Sequence, residues 1–162
     1  AREDAGQDAG DEAVRGGGGG GEARASQSSQ APVTLERNGL RVELPAGFSL
    51  DDAGPPWRAT GLDPDFRLEI AVDELYNLPP ETLVDQLRRD VEADPATELV
   101  AVDGATLTYL ERPGDGSEVL WKTWSRDNRQ LFVGCHTRRA PTTVQQATCR
   151  MAMESAVYQP VS

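Results

Sequence analysis

The residue types able to do chemistry in this 162-residue chain concentrate in one stretch, QLFVGCHTRRAPTTVQQATCR, from Gln130 to Arg150. It holds both cysteines, Cys135 and Cys149, and the single histidine, His136. Leu131, Val133 and Cys135 alternate with Phe132, Gly134 and His136, which is the period of a strand. Past Pro141 the period changes. Thr142 with Gln145 and Thr143 with Gln146 offer two capping boxes, so a helix is expected to start there and to carry Cys149 about two turns in. If that helix folds back over its strand, the chain runs outward by roughly 10 Å and returns by roughly 10 Å, which levels the two sulfurs. We expect a Cys135–Cys149 disulfide, whose closed loop would contribute about 3 kcal/mol. Two buried thiols that fill space, or a metal site with His136 as its one imidazole, are the alternatives the spacing leaves open.

Other chemistry is thinly provided. Any mechanism needing an imidazole base must use His136, and no nucleophile motif lies near it in sequence. A Cys135 nucleophile and a Cys135 disulfide exclude each other. Asp51-Asp52, and Asp63 with Asp65 in LDPDF, lack the glycine and the distal Glu of a calcium loop, so a solvating or structural role is expected for them. The run Gly16 to Gly21 has no Lys-Ser/Thr after it and reads as linker, not phosphate loop. We therefore expect no enzyme, no cofactor, no metal and no small-molecule ligand.

Composition separates the chain into two parts. Residues 1–30 contain no aromatic, Leu or Ile and a single Val14, too little apolar surface to offset the entropy of ordering, so a disordered, Gly-rich, acidic linker is expected there. Residues 31–162 are long enough for one domain with a real core. The net charge of −11 is uneven: 31–119 carry nineteen acidic against seven basic side chains, whereas 120–162 carry two against six. Such an acidic chain is repelled by nucleic acid and by anionic lipid, which argues against either as its target. No run of eighteen apolar residues is present. With its acidic lead and paired cysteines, the chain is expected to work outside the cytoplasm.

The elements that must position these residues follow from period and punctuation. Val33 to Leu35 and Leu40 to Leu44 flank Asn38-Gly39, the pair favoured in a two-residue hairpin. Phe66, Leu68, Ile70 and Val72 alternate with polar or small neighbours as a strand with one covered face. Pro80 opens a helix with Leu83, Val84, Leu87 and Val91 on one side, and Pro95 stops it. Strands are expected over Leu99–Val102, Ala105–Glu111, Glu118–Trp124 and Gln130–Thr137. The sum is an α+β fold, one antiparallel β-sheet flanked by two main helices. Trp57, in a loop with Pro55 and Pro56, is the expected exposed contact. With Arg126, Arg129, Arg138 and Arg139 at strand ends, it makes up the surface expected to anchor an acidic partner.

Taken together, GLRVELPAGF after a hairpin, PPETLVDQLRRDVEAD, VLWKTWSRDNRQLFVGCHT and the helical CRMAMESAV resemble the C-terminal domain of the actinobacterial type VII secretion-associated proteins, over residues 33–158. The PAGF turn is also similar to domains of the PsbP/Mog1 type and to LpqN-like lipoproteins, which share a sheet-and-helix sandwich plan. The resemblance implies a non-catalytic accessory domain of the cell envelope that binds a protein component of the type VII (ESX) export machinery. It also implies a membrane anchor upstream of this chain, with Cys135 and Cys149 as the transferred pair. A ligand carrier, with a pocket between sheet and helix lined by Trp, Phe and Met, is the competing expectation.

Overall fold

The computed structural model describes residues 30–160, and a compact unit begins at Val33. The linker expected over 1–30 lies, apart from Gln30, outside the described residues. In chain order the elements are β1 (Val33–Arg37), β2 (Leu40–Leu44), β3 (Ser49–Leu50), β4 (Trp57–Thr60), β5 (Phe66–Glu74), α1 (Pro80–Ala93), β6 (Thr97–Asp103), β7 (Thr106–Glu111), β8 (Glu118–Arg126), β9 (Arg129–Thr137), α2 (Thr143–Ser155) and β10 (Val157–Tyr158). The fold class is α+β, with antiparallel sheets and two helices.

A single sheet was the expectation, and the strands divide into two. β1-β2-β10 form one sheet, and β3-β4-β5-β9-β8-β7-β6 form the other. The smaller sheet is built on the Asn38-Gly39 turn between β1 and β2, whose φ values of 52° and 90° are the left-handed pair of a tight hairpin. Glycine is needed at 39 for a second reason. A Cβ there would come 3.0 Å from the Tyr158 ring, and the same backbone accepts from Gln159 N at 2.8 Å, so the chain's last strand closes against the hairpin instead of joining the larger sheet.

The two sheets bury one core. Leu40, Val42 and Leu44 of β2 meet Leu68 and Ile70 of β5 and Leu131 and Val133 of β9, all essentially inaccessible, with Ala152 and Met153 of α2 closing the side. Each alternates along its strand with residues pointing the other way, as a half-buried strand requires. The helix α2 packs on β2 and β9, while α1 packs on the outer strands β6 and β7. Of the two capping boxes read in the sequence, Thr142 with Gln145 forms: Gln145 N donates to Thr142 Oγ1 at 3.1 Å, and Thr142 N donates to Gln145 Oε1 at 3.0 Å.

Candidate functional site

Cys135 and Cys149 are joined by a disulfide with Cα atoms 5.9 Å apart, tying α2 to the middle of the large sheet. Cys135 sits between Leu68 and Leu120 in the register, inside the core. A thiolate role and a thiol-ligated metal are thereby removed for both sulfurs.

The surface expected around Trp57 does not form. Trp57 begins β4 opposite Ile70 and is buried with Ala59 in the core, because pairing with β5 starts immediately after Pro56 and turns the indole inward. The four arginines also part company. Arg129 pairs with Glu74 at 3.1 Å and Arg126 with Asp127 at 3.4 Å at one end of β9. Arg138 and Arg139 lie beyond the other end, held by Asp65 at 2.7 and 3.7 Å. Arg138 lies nine positions along the chain from Arg129, about 30 Å in a strand. These five residues make no common patch.

The carboxylates singled out in the sequence are tied into the fold. Asp63 Oδ2 accepts from Gln145 Nε2 at 2.8 Å and its Oδ1 from Asp65 N at 2.9 Å, which holds its carboxyl below the usual range and fastens the β4–β5 loop to the start of α2. Asp52 pairs with Arg37 at 2.7 Å. Among the described residues no group of three His, Cys, Asp or Glu is placed to hold a metal ion.

What the register does bring together lies on the face of the large sheet turned away from the core. Directly paired residues share a face, and one row runs across five strands as Tyr109, Trp121, Gly134, Glu69 and Arg58. The row on one side of it reads Val119, His136, Arg67; that on the other reads Thr123, Phe132, Ala71. Gly134 has no side chain, so the Trp121 ring lies down on its backbone, where an added Cβ would be 2.6 Å from Trp121 Cε3. In this posture the indole Nε1 donates to Glu111 Oε1 at 2.9 Å, and the ring meets His136 edge to face at 5.6 Å.

Beside the flattened indole, Tyr109, Phe132 and Ala71 form with the prolines Pro55 and Pro56 a cleft of about 370 Å³, with Glu69 and Asp73 among its walls. Burial, and the Glu111 carboxylate after it, push the Tyr109 phenol above its ordinary pKa. Glu69 is the buried charge of this face, its side chain 9% exposed; Oε2 accepts from Arg58 Nε at 3.1 Å and lies 3.9 Å from Arg67 Nε. His136 Nε2 is 2.9 Å from Glu69 Oε1, and its Nδ1 is 3.4 Å from an Arg67 nitrogen. A neutral imidazole satisfies both, donating from Nε2 and accepting at Nδ1. Burial, with Arg67 acting in the same sense, holds its pKa below the ordinary value against the opposing pull of Glu69. The imidazole is braced beside the indole, with both nitrogens engaged.

A second cavity, about 540 Å³, lies between α2 and the core-side faces of β7 and β8, lined by Phe66, Leu110, Leu120, Met153 and the disulfide. The expected Trp is absent from its lining. Lys122 stands at its edge, donating to Met153 O at 2.8 Å, where a cation suits the carboxyl end of a helix, and lying 5.2 Å from the Trp124 ring.

No family model matches the chain, and no curated protein matches it. Among solved structures it is similar to the solution structure of cyanobacterial PsbP (CyanoP) from Synechocystis sp. PCC 6803, at 13% identity and a TM-score of 0.49, over 80% of this chain and 92% of that one. At that score the likeness carries no weight, and the α+β class stands on the sheets and helices themselves.

Proposed function

We propose that residues 33–158 form a non-catalytic accessory domain that binds a protein partner outside the cytoplasmic membrane, in association with the type VII (ESX) secretion machinery. The observation that carries the binding reading is the open aromatic cleft at Trp121, Tyr109 and Phe132, since partly exposed Trp and Tyr in a pre-shaped recess are the residues that anchor protein contacts. The absence of catalysis is supported by the engagement of the reactive groups: His136 between Glu69 and Arg67, both sulfurs in a disulfide, Asp63 and Asp65 in loop contacts. The disulfide supports an oxidising compartment. The link to secretion, and the upstream membrane anchor, rest on the resemblance over 33–158. The test is affinity capture of the full-length tagged protein from an actinobacterial envelope. Secretion ATPase and membrane components are expected to co-purify with the wild type and to be lost from Trp121→Ala. Their absence from both captures would overturn the secretion assignment.

The cavity behind α2 favours a second reading, a carrier of an apolar ligand. Mass spectrometry of the natively purified protein separates the two, because a carrier retains a bound small molecule.

A further inference from the structure

We infer that the Trp121 cleft receives an arginine side chain presented by an extended segment of the partner, an assignment that rests on the binding reading above. Several observations converge on that chemistry. The walls are aromatic faces on adjacent strands, Tyr109 opposite Trp121 and Phe132 one row along, and a guanidinium within about 6 Å of such faces is held by their quadrupoles and by planar stacking. The indole N–H is already engaged by Glu111, so Trp121 offers the cleft its π-face and not a donor.

Carboxylates stand among the walls, and the arginines of this face are engaged by one of them. Arg58 and Arg67 are both directed onto Glu69, which leaves the exposed Asp73 of β5 to meet an incoming charge. On a larger scale the chain carries a net charge of −11, which favours encounter with a basic partner. A cleft of about 370 Å³ admits one long side chain and the backbone that carries it, not a folded element.

The experiment uses acetyl-Gly-Arg-Gly-amide and the same peptide with citrulline, a neutral isostere, titrated into the ¹⁵N-labelled protein while the Trp121 indole N–H resonance is followed. The resonance is assigned by its disappearance in Trp121→Phe. The arginine peptide is expected to shift it saturably, the citrulline peptide to bind about tenfold more weakly, and Asp73→Asn to weaken the arginine peptide alone. Gly134→Ala, which lifts the indole out of its seat, is expected to abolish the shift. Equal binding of the two peptides, or an undisturbed Trp121 at millimolar arginine peptide, would overturn the assignment. Secretion components still captured through Trp121 would then leave the binding reading standing, so the two failures are distinguishable.

Discussion

The Trp121 ring rests on the backbone of Gly134, its partner across the β8–β9 pair, with no room between them for a methyl group. Glycine in a strand interior ordinarily costs roughly 0.5–1 kcal/mol relative to alanine, so alanine at 134 would be stabilising if the indole were elsewhere. Overpacking reverses the sign. Gly134→Ala is expected to destabilise by about 1–3 kcal/mol, whereas the same change in a Trp121→Leu background is expected to be neutral or stabilising. Urea unfolding of the four proteins of this cycle gives the coupling directly. Additive effects would mean that the ring does not occupy the Gly134 seat in solution.

The disulfide closes a short loop between β9 and α2. A closure of about 15 residues contributes about 3 kcal/mol through the unfolded chain. The double replacement Cys135→Ala/Cys149→Ala is expected to lose that amount, and reduction of the wild type under the same conditions to lose a similar amount. The cavity behind α2 should loosen with it, since both sulfurs line its floor. Wild-type stability that ignores reductant would contradict the bond.

His136 makes stability depend on pH in one direction. Burial and the neighbouring Arg67 depress its pKa in the fold, against Glu69 and Glu111. As pH falls through about 6.5 the unfolded chain takes up a proton, while the folded chain takes it up only at lower pH. The unfolded state therefore binds more protons in that window, and stability declines as pH drops below about 7, levelling once the folded imidazole is charged. His136→Gln, which keeps a donor toward Glu69, is expected to flatten the unfolding free energy between about pH 5 and 7. Imidazole NMR showing titration above the ordinary value would refute this account.

Much of this was legible because local rules and global fold agree. The Asn38-Gly39 turn, the alternation of β5 and β9, the Thr142–Gln145 box and the cysteine spacing each depend on neighbours within a few residues. Trp57 reads as loop because it directly follows Pro55 and Pro56, whereas pairing with β5 begins at Trp57 itself. The division into two sheets was hidden because an apolar face does not say which other face it meets, and β10 has two residues, too few to show a period. The aromatic cleft depends on register, yet a signal for it existed. Asp127 and Asn128 both adopt positive φ, 52° and 62°, as a two-residue hairpin demands. Counting back five residues from Arg126 and forward five from Arg129 sets Trp121 opposite Gly134, and a lone strand glycine opposite a Trp marks a close approach.

Glu69 and Arg58 form an unequal pair, and the inequality predicts an order of mutational cost. The carboxylate side chain is 9% exposed and the guanidinium side chain 41% exposed, so the acid has lost its water while the base has kept much of its own. Arg58→Met keeps the aliphatic stem but leaves the buried carboxylate with His136 at 2.9 Å and the more distant Arg67 at 3.9 Å, a loss at the low end of the range for a buried pair broken on one side, about 3 kcal/mol. Glu69→Gln removes the buried charge while retaining an oxygen for Arg58, and Arg58 relaxes into solvent; about 1 kcal/mol is expected. Chemical denaturation of the two variants at neutral pH tests the order. A larger loss from Glu69→Gln than from Arg58→Met would show that the carboxylate is held chiefly by something other than Arg58, and the open face would then owe its charge balance to a contact outside this row.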